Sequence, residues 1–143
     1  MSRDKILKNI KKNIKKRIPL KEFELNPTVY KNPKEEFEKN FKNTGGMIVS
    51  KPKGFVLEGV FAVAENGTIL LKEVEDAKDY TFYEEITVLL DKNNILDNMH
   101  QAYKKLHIEN FALFMAGPSK TADIEQSLVI GAHGAKKLFL VYK

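Results

Sequence analysis

The second half of the 143-residue sequence predicts an α/β fold, with an open, mostly parallel sheet and flanking helices. Strand and helix patterns alternate there, and the runs Phe111–Ala116 and Leu138–Tyr142 are almost entirely apolar. Continuous apolar runs are typical of parallel strands that are covered on both faces. Right-handed crossovers join such strands into an open sheet. An Asn66-Gly67 pair between two runs of strand-forming residues predicts a hairpin before this unit.

Hydrophobic periodicity and turn residues predict the individual elements. Isoleucines that recur every four residues indicate a basic helix over residues 3–17. Phe37 and Phe41, one helical turn apart, indicate a second helix over residues 34–43, and a Gly-Gly pair follows as a stop signal. The other predicted strands cover residues 47–50, 55–64, 68–71, 85–90, 111–116 and 138–142, and the other predicted helices cover residues 95–106 and 121–130.

Charge divides the chain into two predicted regions. Residues 1–21 hold nine basic residues and one acidic residue, whereas residues 22–143 carry a net charge of −3. We therefore predict a basic amphipathic helix over residues 1–21 and a single α/β domain over residues 22–143. The helix has a narrow isoleucine stripe without an aromatic anchor and has no arginine-rich pattern. Docking of the stripe on the domain or on a partner is therefore favoured over binding to a membrane surface or to a specific nucleic acid.

The composition excludes several kinds of site. Cysteine is absent, which rules out disulfides, a thiolate nucleophile and cysteine-bound zinc or iron–sulfur centres within this sequence. The three histidines are too scattered to predict a metal site. No apolar run reaches the ~18 residues that cross a bilayer. The N-terminus also lacks the apolar core of a secretory signal, so we expect a cytoplasmic protein.

The leading candidate site is the turn that follows the Phe111–Ala116 run. A helix start in that place would present free backbone N–H groups, and with a lysine these favour a carboxylate or phosphate. Asp123 would lie in the first helical turn, where it either orients a ligand or only complements the helix dipole. The same residue types also build an ordinary strand-to-helix turn, so both interpretations stay open. The predicted ligand-binding residues of this turn are Gly117, Ser119, Lys120, Thr121 and Asp123.

The tip of the predicted hairpin is the second candidate. Glu65 could face the same pocket as Ser119, with Gly67 and Thr68 beside the ligand. The alternative is a simple turn that needs a glycine for its positive φ. His133 would lie at the far end of the helix predicted over residues 121–130, ~15 Å from Ser119 by helix rise. We therefore predict a structural role for His133.

Three stretches of the sequence also share motifs with a known family. The longest comprises Gly117-Pro118-Ser119-Lys120-Thr121-Ala122-Asp123-Ile124-Glu125, Leu128-Val129, Gly131-Ala132-His133-Gly134 and Leu138. The others are Ala62-Val63-Ala64-Glu65-Asn66-Gly67-Thr68-Ile69-Leu70-Leu71, and Ile86-Thr87-Val88-Leu89-Leu90 with Ile95. Together they resemble the LUD domain of the lactate-utilization protein C family over about residues 55–143.

The resemblance implies a fold similar to the phosphosugar-isomerase and CoA-transferase-like α/β group. It further implies a cluster-free subunit of a complex that oxidises L-lactate to pyruvate, in which separate subunits carry the iron–sulfur clusters. Such a subunit would bind a small anionic ligand or a partner subunit near residues 117–121. In the related folds an acidic residue near this hairpin can be catalytic, which favours Glu65 as the reactive carboxylate. The alternative is a stand-alone isomerase- or transferase-like enzyme that uses Glu65, and a homo-oligomer stays open.

Overall fold

The computed structural model describes four parts of the chain. These are residues 3–12, with side chains from 3 to 9, and residues 26–107, 111–121 and 128–143. The helices are α1 (Arg3–Lys12), α2 (Pro33–Asn43) and α3 (Met99–Lys105), with a short 3-10 helix at Ala77–Tyr80. The strands are β1 (Met47–Ile48), β2 (Phe55–Val63), β3 (Thr68–Leu71), β4 (Glu85–Leu90), β5 (Ile95–Leu96), β6 (Leu113–Met115), β7 (Lys120–Thr121), β8 (Val129–Ile130) and β9 (Lys137–Tyr142).

A mixed sheet, parallel over most of its width, organises the domain. Its strands lie in the order β1-β9-β4-β2-β3-β6, and β5 also pairs with β2. The first four are mutually parallel, whereas β3 is antiparallel to β2 and β6 is antiparallel to β3. This topology confirms the predicted α/β class. The predicted hairpin is also present, because residues 64–67 connect β2 to β3 with Gly67 at a φ of 70°.

The two faces of the sheet carry separate hydrophobic clusters. On one face, Phe37 and Phe41 of α2 are fully buried against alternate residues of β4 and β9. On the other face, α3 packs through Ala102 against Phe61 and Leu70. Burial of a large apolar side chain contributes about 1.5–3 kcal/mol. The two phenylalanines therefore fix α2 firmly on its face.

Local signals explain where α2 begins and ends. The side-chain oxygen of Asn32 accepts a hydrogen bond from the Glu35 N–H at 3.3 Å, and Pro33 occupies the first helical position, where no hydrogen bond is lost. Gly45 follows the helix with a φ of 97°, a conformation that glycine adopts readily. The helix thus ends where the sequence predicts and begins one residue earlier.

Two predicted helices are corrected by the structure. The helix predicted over residues 95–106 begins at Met99, because Ile95–Leu96 pair with β2 as β5. The helix predicted over residues 121–130 is wrong at both of its described ends, since Thr121 and Val129 face each other across the antiparallel β7–β8 pair. β-branched residues such as these favour strands, and strand pairing outweighs the helical spacing. Residues 122–127 lie outside the described residues.

The run predicted as a strand covered on both faces lies at an edge of the sheet instead. Residues 113–115 form β6, which pairs antiparallel with β3. Its three side chains are only partly buried, and Phe111 before it is 50% exposed. The apolar run therefore predicted the strand correctly. It did not predict that the strand is antiparallel to its neighbour or that its side chains are only partly buried.

The basic helix is present as α1. Its predicted continuation over residues 13–17 lies outside the described residues, and so does the predicted boundary at residue 21. The division into two regions therefore stays a prediction. Ile6, the first residue of the isoleucine stripe, is 45% exposed. Among the helices that the structure describes, none is long and apolar enough to cross a membrane.

Tyr142, at the end of β9, carries a buried hydroxyl group. Among the described residues, none makes a hydrogen bond with it that meets geometric criteria. Burial raises the pKa of the Tyr142 phenol, and the negative charge of Glu38 raises it further. The folded protein therefore holds the phenol neutral.

We expect Tyr142→Phe to be neutral at pH 7 or to stabilise the protein by about 1 kcal/mol, because it removes a buried hydroxyl without a partner. Above about pH 10 the unfolded tyrosine loses a proton that the folded one keeps, so the wild-type protein loses stability with rising pH. The variant lacks this contribution. Urea unfolding at pH 7 and at alkaline pH measures both effects. A variant clearly less stable than the wild type at pH 7 would contradict the assignment.

Candidate functional site

The last turn of α2 lies across the edge of the sheet at which β2 and β6 end. A Cβ atom on Gly67 would stand 2.5 Å from the Phe41 backbone nitrogen, and one on Gly117 would stand 2.5 Å from the Thr44 carbonyl oxygen. Both glycines have a φ of 70°. The structure therefore places both of these predicted ligand-binding glycines directly against the helix, where they permit its close approach.

Glu65 caps helix α3. Its carboxylate accepts a hydrogen bond from the Met99 N–H at 2.9 Å, and its own N–H donates to the Asp97 carbonyl at 3.0 Å. Asn98 caps the same turn by accepting from the Gln101 N–H at 3.0 Å. A carboxylate in this position complements the helix dipole. Glu65 is not among the residues that line the cavity beside Ser119, and its catalytic role stays a prediction.

The remaining hairpin and turn residues are held by local contacts. Thr68 donates its N–H and its hydroxyl to the Asn66 side-chain oxygen at 3.1 and 2.8 Å. The Lys120 ammonium donates to the Thr44 carbonyl at 2.6 Å, at the C-terminal end of α2, where a cation is favourable. Thr121 pairs with Val129 between β7 and β8. Asp123 lies outside the described residues.

A cavity of about 210 Å³ lies beside Ser119. The Ser119 N–H donates to the Ala135 carbonyl at 2.8 Å, and the Ser119 carbonyl accepts from the Gly131 N–H at 3.0 Å. These bonds fold the chain after β8 back onto Ser119. The cavity is lined by Tyr80, Thr81, Leu113, Phe114, Met115, Ala116, Gly117, Ser119, His133, Gly134 and Ala135.

His133 shares this cavity with Ser119, which corrects the predicted separation of ~15 Å along a helix. That distance assumed helical rise between the two residues, whereas the β7–β8 pairing brings the chain back. Sequence reasoning also missed Thr81 and Tyr80, which precede β4 and have no motif of their own. A signal for His133 was available, because it stands between Gly131 and Gly134 after β-branched residues that favour a hairpin.

A second, more open cavity of about 590 Å³ adjoins the first and shares Thr81, His133 and Gly134 with it. Lys136 lines it and pairs with Glu84 at 2.5 Å. The hydrogen bond and positive charge of Lys136 lower the pKa of Glu84. His133 thus stands at the junction between a small cavity and a surface with charged groups. In the described parts of the chain, no cluster of three or more acidic or histidine residues could hold a metal ion.

Comparison with known proteins identifies the family. A sequence model described as the LUD domain matches residues 53–141, which include every residue that lines the Ser119 cavity. This chain belongs to the LUD domain family. The match confirms the resemblance seen in the sequence motifs.

The relatives of this LUD domain include proteins named lactate utilization protein C. The one from Anoxybacillus flavithermus is 36% identical over 80 residues, which are 52% of this chain and 36% of that protein. The one from Geobacillus thermodenitrificans is 34% identical over 85 residues, which are 52% of this chain and 35% of that protein. The similarity thus spans about a third of the length of these curated relatives.

The LUD domain also resembles a solved structure. A DUF162 family protein from Deinococcus radiodurans superposes with a TM-score of 0.54 at 11% sequence identity, over 81% of this chain and 99% of that one. At this identity the likeness supports the fold, in agreement with the mixed, mostly parallel sheet.

Glu65→Ala should lower the free energy of unfolding of the LUD domain by about 1 kcal/mol, because the variant leaves the Met99 N–H without its acceptor. Glu65→Gln keeps an acceptor oxygen and should lose less. Thermal unfolding measures the difference. Glu75→Ala, which removes an exposed carboxylate elsewhere, is the matched control. If Glu65→Ala has the same unfolding temperature as this control, the capping role is wrong.

Lys120→Met should destabilise the LUD domain by about 0.3–1 kcal/mol, because the Thr44 carbonyl loses its donor at the end of α2. Lys92→Met, on an exposed turn, is the control for loss of a surface charge. Denaturant unfolding at low and high salt measures both variants. A Lys120 variant as stable as the control at low salt would show that the capping bond contributes nothing.

Proposed function

We propose that this LUD domain acts in lactate utilization as a subunit without a redox centre of its own. The family match over the residues that build the Ser119 cavity carries the proposal, together with the relatives named lactate utilization protein C. The absence of cysteine from the sequence is compatible with this division of labour. In it, iron–sulfur clusters on separate partner subunits take the electrons when L-lactate is oxidised to pyruvate.

The Ser119 cavity is the proposed site for a small anionic ligand, a 2-hydroxy carboxylate. Its volume of about 210 Å³ lies below the roughly 300–1,000 Å³ that is typical of pockets for drug-sized ligands, so it suits a ligand of a few heavy atoms. Ser119 and Thr81 provide hydroxyl groups that can donate to a carboxylate and accept from a ligand hydroxyl. His133 provides an imidazole and also lines the adjoining cavity, which Glu84 and Lys136 line as well.

A catalytic role for Glu65 in a stand-alone isomerase- or transferase-like enzyme is the second proposal. The Glu65 carboxylate is engaged by the Met99 N–H and does not line the Ser119 cavity. Turnover that is abolished by Glu65→Gln in a protein of unchanged stability would favour it over the first proposal.

The primary test is growth of the native organism on L-lactate after deletion of the gene, compared with growth on glucose. We expect a defect only on L-lactate, and a tagged chain should retrieve iron–sulfur subunits from cells grown on it. Normal growth on L-lactate, together with the absence of iron–sulfur proteins from the retrieved material, would sink the proposal.

The combined variant Ser119→Ala/His133→Gln should reduce growth on L-lactate to the level of the deletion strain, because it removes two polar groups of the cavity. Neither side chain is fully buried, so the unfolding temperature should change little. His100→Gln, an exposed histidine of α3, is the matched control. Growth of the combined variant at the wild-type rate would show that these two polar groups of the cavity are not needed for growth on L-lactate.

A further inference from the structure

A cavity of about 350 Å³ lies beyond the end of α3, and none of the residues that line it also lines the Ser119 cavity. Its floor is formed by Phe61, Leu70 and Leu71, whose side chains are at most 6% exposed. Leu106 and Ala112 form apolar walls above this floor. Its volume reaches the range of about 300–1,000 Å³ in which small-molecule ligands are bound.

The rim of this apolar cavity is predominantly basic. Among the residues that the structure describes, Lys72, Lys105 and His107 line it together with one acidic residue, Glu73. The Lys105 ammonium stands 5.6 Å from the centroid of the Phe61 ring, so a positive charge is held over the floor. Within the described parts of the chain, neither lysine ammonium forms an ion pair.

We propose that this cavity binds an unbranched monocarboxylate of medium chain length, about eight carbons. Its carboxylate would lie between Lys72 and Lys105, and its hydrocarbon chain would cover Phe61 and Leu70. This ligand differs from the 2-hydroxy carboxylate proposed above, because it requires a long apolar body.

The charge of the rim selects this ligand over other occupants. A neutral hydrocarbon would cover the floor but would bring no negative charge to the two ammonium groups. A cationic amphiphile would be repelled by the lysines. The amphipathic helix α1 also exposes apolar side chains, at Ile6 and Leu7, but its lysines would be repelled by those of the rim.

Calorimetric titration of the full chain with octanoate tests the proposal directly. Butanoate, hexanoate and octanoate should bind progressively tighter, by up to about fourfold for each added methylene group. Octan-1-ol and octylamine, of matched length, should bind more weakly than octanoate, and added salt should reduce this preference. Equal affinity for octanoate and octylamine would overturn the proposal, and so would the absence of saturable octanoate binding.

Variants locate the binding site. Lys72→Gln and Lys105→Gln should each weaken octanoate binding by about two- to fivefold, the range expected for one exposed charge pair, and should leave octan-1-ol binding unchanged. Lys104→Gln removes a neighbouring charge that does not line the cavity and is the matched control. Ser119→Ala should also leave octanoate binding unchanged. Wild-type affinity in the folded variant that carries both lysine substitutions would show that octanoate binds elsewhere.

Discussion

The close contact between the last turn of α2 and two glycine turns is the constraint on which the arrangement of this domain depends. Gly67 and Gly117 stand where any side chain would overlap the backbone of residues 40–44. Phe37 and Phe41 pull the same helix onto the sheet by burying their rings in the core. Hydrophobic burial thus holds the helix on the sheet. Because glycine has no side chain, the two turns can approach the helix backbone this closely.

This contact also decides which groups remain available for a ligand. The end of α2 uses the Thr44 hydroxyl, which donates to the Phe41 carbonyl at 2.7 Å, and the Lys120 ammonium, which donates to Thr44. Helix carbonyls need such partners because the helix itself leaves them unpaired. On the side that faces α2, the turn after β6 is therefore filled by its contacts with the helix and leaves no room for a ligand. The space beside it, between β6 and the segment around His133, is where the chain leaves a cavity with hydroxyl groups and an imidazole.

Much of the fold could be predicted from the sequence, because its signals are local. The phenylalanine spacing of α2, the turn at Gly67 and the apolar runs of the strands each concern neighbouring residues. The site could not be predicted in the same way. Its decisive contact joins Ser119 to Ala135 across a chain reversal, and helical spacing in residues 121–130 concealed that reversal. The positive φ of Gly117 could be inferred from its residue type. Its contact with the α2 backbone could not, because α2 is distant in the sequence.

The position of β9 has a consequence for synthesis of the protein. Although it comes last in chain order among the described strands, β9 lies between β1 and β4 and pairs with both. Until residues 137–142 have left the ribosome, β4 has one open edge and β1 has no neighbour in the sheet. Long-range parallel pairing forms slowly, and open strand edges promote association between chains. The nascent chain therefore carries an incomplete sheet, in which one edge of β4 is open to association with other chains.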